Sequence, residues 1–224
     1  MEQPLSSLSF RCHFEKCGPI RFISHLDLTR AFHRAFFRAQ IPLKFSEGFS
    51  PHPKFAFALP LSVGTESVVE LADFSLKAGF EIDPETLKNR LQEQMPTGIR
   101  IVKISVPENK FSDIAFASYR VLLPEIPKNV FDEAKTILEN GVTIRKKNKK
   151  GKWTEKELSG GIQSVTPIPD GDCLAWNCTL SASGENYLKP ELLLTALAEK
   201  MPQWNWSVHS ILRTGIYQND NTPF

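Results

Sequence analysis

No run of about 18 consecutive apolar residues occurs in this chain, so a membrane-spanning helix is not expected. Met1–Ser9 has no basic start followed by a long apolar stretch, so a signal peptide is not expected either. These two absences give a cytoplasmic expectation. Net charge is almost missing, at +2, so no global field draws the chain to polyanions. A nucleic-acid argument must therefore rest on where the charge sits. Cysteine is sparse: Cys12, Cys17, Cys173 and Cys178. In a reducing compartment they are expected as free thiols. Four residues separate the members of each pair, at the edge of the spacing of zinc knuckles. Cys173 and Cys178 are also an odd number of residues apart, so a regular strand would point them to opposite faces. The C-x3-C-x2-C spacing that carries the cluster of radical S-adenosylmethionine enzymes is absent. No metal and no cofactor are expected.

The chain has 224 residues, enough for one large domain or two smaller ones, and its 16 Phe can fill a sizeable core. Leu8–Cys12 and Ile20–Ile23 read as strands around a turn at Lys16–Pro19. Ser24 reads as an N-cap with Asp27 three residues on, opening a helix that runs to about Gln40 before Pro42. Phe55–Leu59 and Ser67–Leu76 read as strands separated by a turn near Gly64. Asp83 caps a second helix, Asp83–Gln94, with Pro84 at its first position. Ile99–Val106 is a strand. In the second half Ala117–Leu123 is a strand and Asn129–Asn140 a helix closed by Gly141. Val142–Lys147 and Trp153–Leu158 are the arms of a basic hairpin. Cys173–Ser181 is a strand, Lys189–Lys200 a helix and Val208–Tyr217 the last strand. Each half spells β-α-β-β-α-β, which predicts an α+β protein of two tandem ferredoxin-like domains. They span residues 8–107 and 113–217, with a junction near Pro107–Ser112. A single irregular α+β domain is the alternative.

Projected at helical period, Leu28, Ala31, Phe32, Ala35, Phe36 and Ala39 fall on one face of the first helix. Arg30, Arg34 and Arg38 form a stripe at i, i+4 and i+8 on another, with His33 and Phe37 beside it. Cations for phosphates and a ring for a base make a single-stranded nucleic-acid surface. A solvated face with Asp27 pairing Arg30 is the plainer reading. His25, in the first turn, suits a neutral imidazole base, because a helix N-terminus lowers a histidine pKa. The alternative is a half-buried capping residue. In the following loop Pro51 and Pro53 stiffen the backbone around His52 and Lys54, which can aim donors at a phosphate or a carboxylate. Equally, the prolines can simply end strands.

Several phrases then stand in a fixed order. They are Gly18-Pro19-Ile20-Arg21-Phe22-Ile23-Ser24-His25-Leu26-Asp27, the arginines above, Ser46-Glu47-Gly48-Phe49-Ser50-Pro51-His52-Pro53-Lys54, and Leu59-Pro60-Leu61-Ser62-Val63-Gly64. They resemble the radical-SAM-linked protein family, a bacterial domain of unknown function fused to or encoded beside radical S-adenosylmethionine proteins. Glu70 and Asp73 fit acidic positions of that pattern, and Arg213-Thr214 fits its closing strand. Thr154–Leu158 departs from it. The resemblance implies a site in the first half and a radical S-adenosylmethionine protein as partner.

Arg145, Lys146, Lys147, Lys149, Lys150 and Lys152 make the densest charge run, around a turn at Asn148–Gly151. It is either an electrostatic finger for RNA, with Trp153 to stack, or a solvated turn. The leading expectation is an RNA-binding or substrate-presenting module in tRNA or rRNA modification, without catalysis of its own. Arg30, Arg34, Arg38, Lys54 and the hairpin would hold phosphate, and Phe37 and Phe49 would stack. Ser24, His25, Asp27, His52, Glu70 and Asp73 would form the polar centre. A second expectation is a metal-independent RNA endonuclease, resembling CRISPR repeat-processing enzymes, with His25 or His52 as base. A third is a protein-only docking scaffold.

Overall fold

The computed structural model describes residues 8–147, 151, 153–168, 173–183 and 187–224. It is α+β and divides into two compact units, Met1–Phe111 and Ser112–Phe224. No helix among the described residues is long and apolar enough to cross a membrane.

The first unit runs β1 (Ser9–Lys16), α1 (His25–Arg38), β2 (Phe55–Phe57), β3 (Thr65–Ser75), α2 (Pro84–Gln92) and β4 (Ile99–Ser105). Its strands lie in the order β4-β1-β3-β2, and every neighbouring pair is antiparallel. Period-two alternation sends Phe10, Cys12 and Phe14 of β1 and Ala72 and Phe74 of β3 into one core. Both helices close that core: α1 contributes Leu28, Phe32, Ala35 and Phe36, and α2 contributes Leu87 and Leu91. Each such Phe or Leu stabilises the unit by about 1.5–3 kcal/mol of removed apolar surface. The helix starts follow from side-chain caps. Ser24 Oγ accepts from the Asp27 N–H at 3.1 Å, and Asp83 accepts from the N–H groups of Glu85 and Thr86.

The expected strand at Ile20–Ile23 is not there. Gly18–Phe22 is a 3-10 turn instead, because Pro19 fixes φ near the helical value and lacks an N–H for a ladder. The turn is pinned from three sides. Gly18 N–H donates to Glu66 Oε1, and the Arg21 carbonyl accepts from Gly64 N–H and from Lys16 Nζ. Gly64 has φ of +88°, a left-handed value that favours glycine.

The second unit runs β5 (Phe116–Pro127), α3 (Phe131–Glu139), β6 (Thr143–Lys147), β7 (Trp153–Glu157), β8 (Ile162–Pro167), β9 (Cys173–Ser181), α4 (Pro190–Lys200) and β10 (Ser210–Tyr217). Its strands lie in the order β10-β5-β9-β8, again all antiparallel. The basic hairpin β6–β7 is a separate two-stranded ladder outside this sheet. Strand β8, absent from the sequence expectation, takes the sheet position beside β9. It was hard to see because only Val165 of its six residues is buried, so the alternation is faint.

Candidate functional site

The apolar row of β1 does not end at Phe14. Period two carries it to Lys16, which is only 2% exposed, and the matching row of β3 ends in Glu70, also 2% exposed. Two opposite charges thus close one end of an otherwise apolar core. Burial pushes the Lys16 ammonium below its usual pKa, against the opposing pull of the Glu70 and Glu66 carboxylates. Lys16 Nζ donates to the Arg21 carbonyl at 3.0 Å, so the charge pins the turn that leads into α1.

Lys16 and Glu70 line a small cavity with Ser24, His25, Leu28, Phe57 and Leu61. Its volume is about 10 Å³, room for one water at most. His25 sits exposed at this place, its ring edge-on to Phe57 at 5.3 Å, while Phe57 packs on Phe32 in the core. The structure therefore brings Ser24, His25 and Glu70 together and adds Lys16. The signal for Lys16 was available in the period-two row Phe10-Cys12-Phe14-Lys16.

The other expected members of the polar centre lie apart from that cavity. Asp73 is three residues from Glu70 on a regular ladder, so it points to the opposite face of the sheet. There it takes a bidentate bond from Arg11, at 2.7 and 2.8 Å. Arg11 is 3% exposed, also bonds the Asn109 side chain and carbonyl, and lies 4.5 Å over the Phe111 ring. Asp27 bonds Ser24 and pairs with Arg30 at 3.1 Å. The Ser24 hydroxyl and then Arg30 hold the Asp27 carboxyl below its usual pKa. His52 is bonded within its own loop: Ser46 Oγ lies 2.9 Å from its Nδ1 and accepts its backbone N–H. The Lys54 backbone joins Lys44 and Ser75, and its side chain is exposed.

The arginine stripe is on the surface, but its members differ. Arg30 is partly neutralised by Asp27. Arg38 donates to the Gln94 side chain and carbonyl, neutral acceptors that fix the guanidinium, and it has no ion pair among the described residues. Arg34 is exposed. Phe37 is 85% exposed, and Phe49 stands fully in solvent. His33, expected on the outer face beside the stripe, is turned inward. It lies edge-on to Phe55 at 5.4 Å with Nε2 buried and without a hydrogen-bond partner among the described residues. The aromatic surface offered by Phe55 outweighs the helical projection.

In the hairpin Arg145 is exposed and faces Glu155 at 3.8 Å. Lys149, Lys150, Lys152 and most of the Asn148–Gly151 turn lie outside the described residues, as do the side chains of Lys146 and Lys147. All four cysteines are free thiols. Burial pushes the Cys178 thiol up to about 12 and raises that of Cys12 further. Among the described residues no group of His, Cys, Asp and Glu has the geometry to hold a metal.

Residues 9–190 match the model of a family described as uncharacterized protein conserved in bacteria (DUF2344). That match carries no link to radical S-adenosylmethionine proteins. No curated protein matches the chain. Among solved structures, the crystal structure of an unknown protein from Galdieria sulphuraria aligns over 88% of this chain and 94% of its own. The identity is 11% and the TM-score 0.27, too low to carry an argument.

Proposed function

The chain belongs to the DUF2344 family, conserved in bacteria, and we propose that it is a single-stranded RNA-binding module acting through the outer face of α1. The observation that carries this reading is Phe37, a ring 85% exposed to water on the helix that bears Arg34 and Arg38. A solvated aromatic gains nothing for the fold. Flanked by exposed guanidinium groups, it is what a base needs to stack on while phosphates are neutralised. Phe49 and Lys54 on the proline-stiffened loop extend the same chemistry. The strand order and directions within each unit support two tandem ferredoxin-like folds. The proposed partner, a radical S-adenosylmethionine protein in tRNA or rRNA modification, rests on the motif resemblance alone.

The test is fluorescence anisotropy of a labelled 12-nucleotide poly-U RNA at low salt, with Phe37→Ala and Arg34→Ala beside the parent. Stacking is worth about 1–3 kcal/mol per base, so Phe37→Ala should weaken binding roughly five- to a hundredfold. Affinity equal to the parent's in both variants, or no retained RNA, would refute the reading.

One observation favours metal-independent RNA cleavage as a second reading. His25 is exposed at a helix N-terminus beside Ser24, with Lys16 and Glu70 behind it. As base, it would take a proton from a 2′-hydroxyl whose oxygen bonds to the adjacent phosphorus as the P–O5′ bond breaks and water protonates the departing 5′-oxygen. The cavity itself holds at most one water, so the RNA would have to lie outside it. Discrete cleavage in EDTA that disappears in His25→Ala would establish this activity, and intact RNA would exclude it.

A further inference from the structure

A second cavity, of about 710 Å³, opens at the C-terminal end of α1, within the size range of small-molecule sites. Its walls are apolar: Phe36, Phe37, Ile41, Leu43, Phe45 and Pro53. The charges that line it are Lys44 and Lys77, and no carboxylate among the described residues does so. The two lysines spring from one short antiparallel ladder. Leu43 bridges Leu76, Lys44 N–H donates to the Ser75 carbonyl, and Lys77 N–H donates to the Pro42 carbonyl. Each lysine is one residue past the bridged pair, so both side chains rise from the same face of the ladder. A second bridge, Phe45 to Pro53, and the fixed φ of Pro42 and Pro53 hold the walls in place. The site is therefore formed before anything binds, and little ordering entropy opposes occupation.

We propose that this groove binds an aliphatic carboxylate, its chain against the Phe and Leu walls and its head at Lys77. The chemistry of the walls selects this class. A nucleobase needs several donors and acceptors, and the polar wall group here is His33, whose Nε2 is buried. Phosphate recognition favours arginine forks and clustered backbone N–H groups, whereas an ammonium point charge suits a single carboxylate. Phe37 belongs to both this groove and the proposed RNA face, but Lys77 and Ala78 lie off α1, so variants there test the groove without touching the arginine stripe.

Calorimetric titration of the full chain with decanoate tests it, beside decanol and decyltrimethylammonium. Decanoate should bind at one saturable site with a negative heat-capacity change. Decanol should bind at least tenfold more weakly, and the cation should not bind. Lys77→Glu should lower decanoate affinity tenfold or more and leave decanol unchanged. Ala78→Trp, at an exposed lining position, should fill the groove and abolish both. No saturable decanoate binding, equal binding of the cation, or undiminished binding in Ala78→Trp would overturn the proposal. Size-exclusion chromatography reads a competing occupant. A dimer that Ala78→Trp dissolves, with no decanoate heat, would give the groove to a second copy and overturn it as well.

Discussion

Arg11 and Lys16 are two cations buried on one strand, and their surroundings give them different weights. Arg11 has a bidentate carboxylate, an amide and a ring around it, so its charge is well met. Asp73→Asn would take the bidentate carboxylate from that buried guanidinium. We expect a loss of about 2–3 kcal/mol in urea unfolding, less than for a fully buried pair because the Asp73 side chain is 30% exposed. His33 is the converse case, a polar ring whose Nε2 has no hydrogen-bond partner among the described residues. Leaving such a group unmade costs about 1–3 kcal/mol, so His33→Phe should raise stability at pH 7 by about 1 kcal/mol. Burial also lowers the His33 pKa. Below about pH 6.5 the unfolded chain therefore binds a proton that the folded one resists, and stability falls as pH drops. Thermal melts at pH 7 and pH 5.5 should differ less for His33→Phe than for the parent. An unchanged difference would show that His33 is not the group involved.

Elements were legible in proportion to how local their causes are. The Ser24 and Asp83 caps and the apolar face of α1 are written in neighbouring residues, and all stand in the structure. The 3-10 turn at Gly18–Phe22 was legible only in part: Pro19 and Lys16 are local, whereas Glu66 and Gly64 hold it from elsewhere in the chain. The turn into β4 is equally a matter of long-range contact. Gly98 has φ of +92°, and a Cβ there would lie 2.5 Å from the Cys17 carbonyl oxygen. Cys17 N–H donates to the Gly98 carbonyl at 2.9 Å, so the two backbones cannot part without losing that bond. Gly98→Ala should destabilise by more than about 2 kcal/mol, from left-handed strain together with the backbone clash. A midpoint shift in urea with an unchanged m-value would register it, and a neutral result would mean that the turn relaxes freely.

At the scale of the whole molecule the charge is nearly balanced, at +2, so RNA affinity has to come from a few placed cations. For single strands the logarithmic salt slope is about 0.7 per neutralised phosphate. Arg34→Ala and Arg38→Ala should each shrink it by about that amount. Arg30→Ala should shrink it less, since Asp27 already compensates that guanidinium. Equal effects from all three would contradict the pairing. The sequence alone sufficed for the α+β class, the helix caps, the core face of α1, the outward Phe37 and the outward arginine stripe, because short-range periodicity and capping chemistry govern them. It pointed to Glu70 and Asp73 as one polar centre. Only the tertiary structure separated them, sending Glu70 to Lys16 and His25 and Asp73 to Arg11 on the other face. It also turned His33 inward and shaped the groove between Lys44 and Lys77. These outcomes depend on which residues meet across the sheet and the ladder, and that pairing is decided by register and burial over distances that local pattern does not encode.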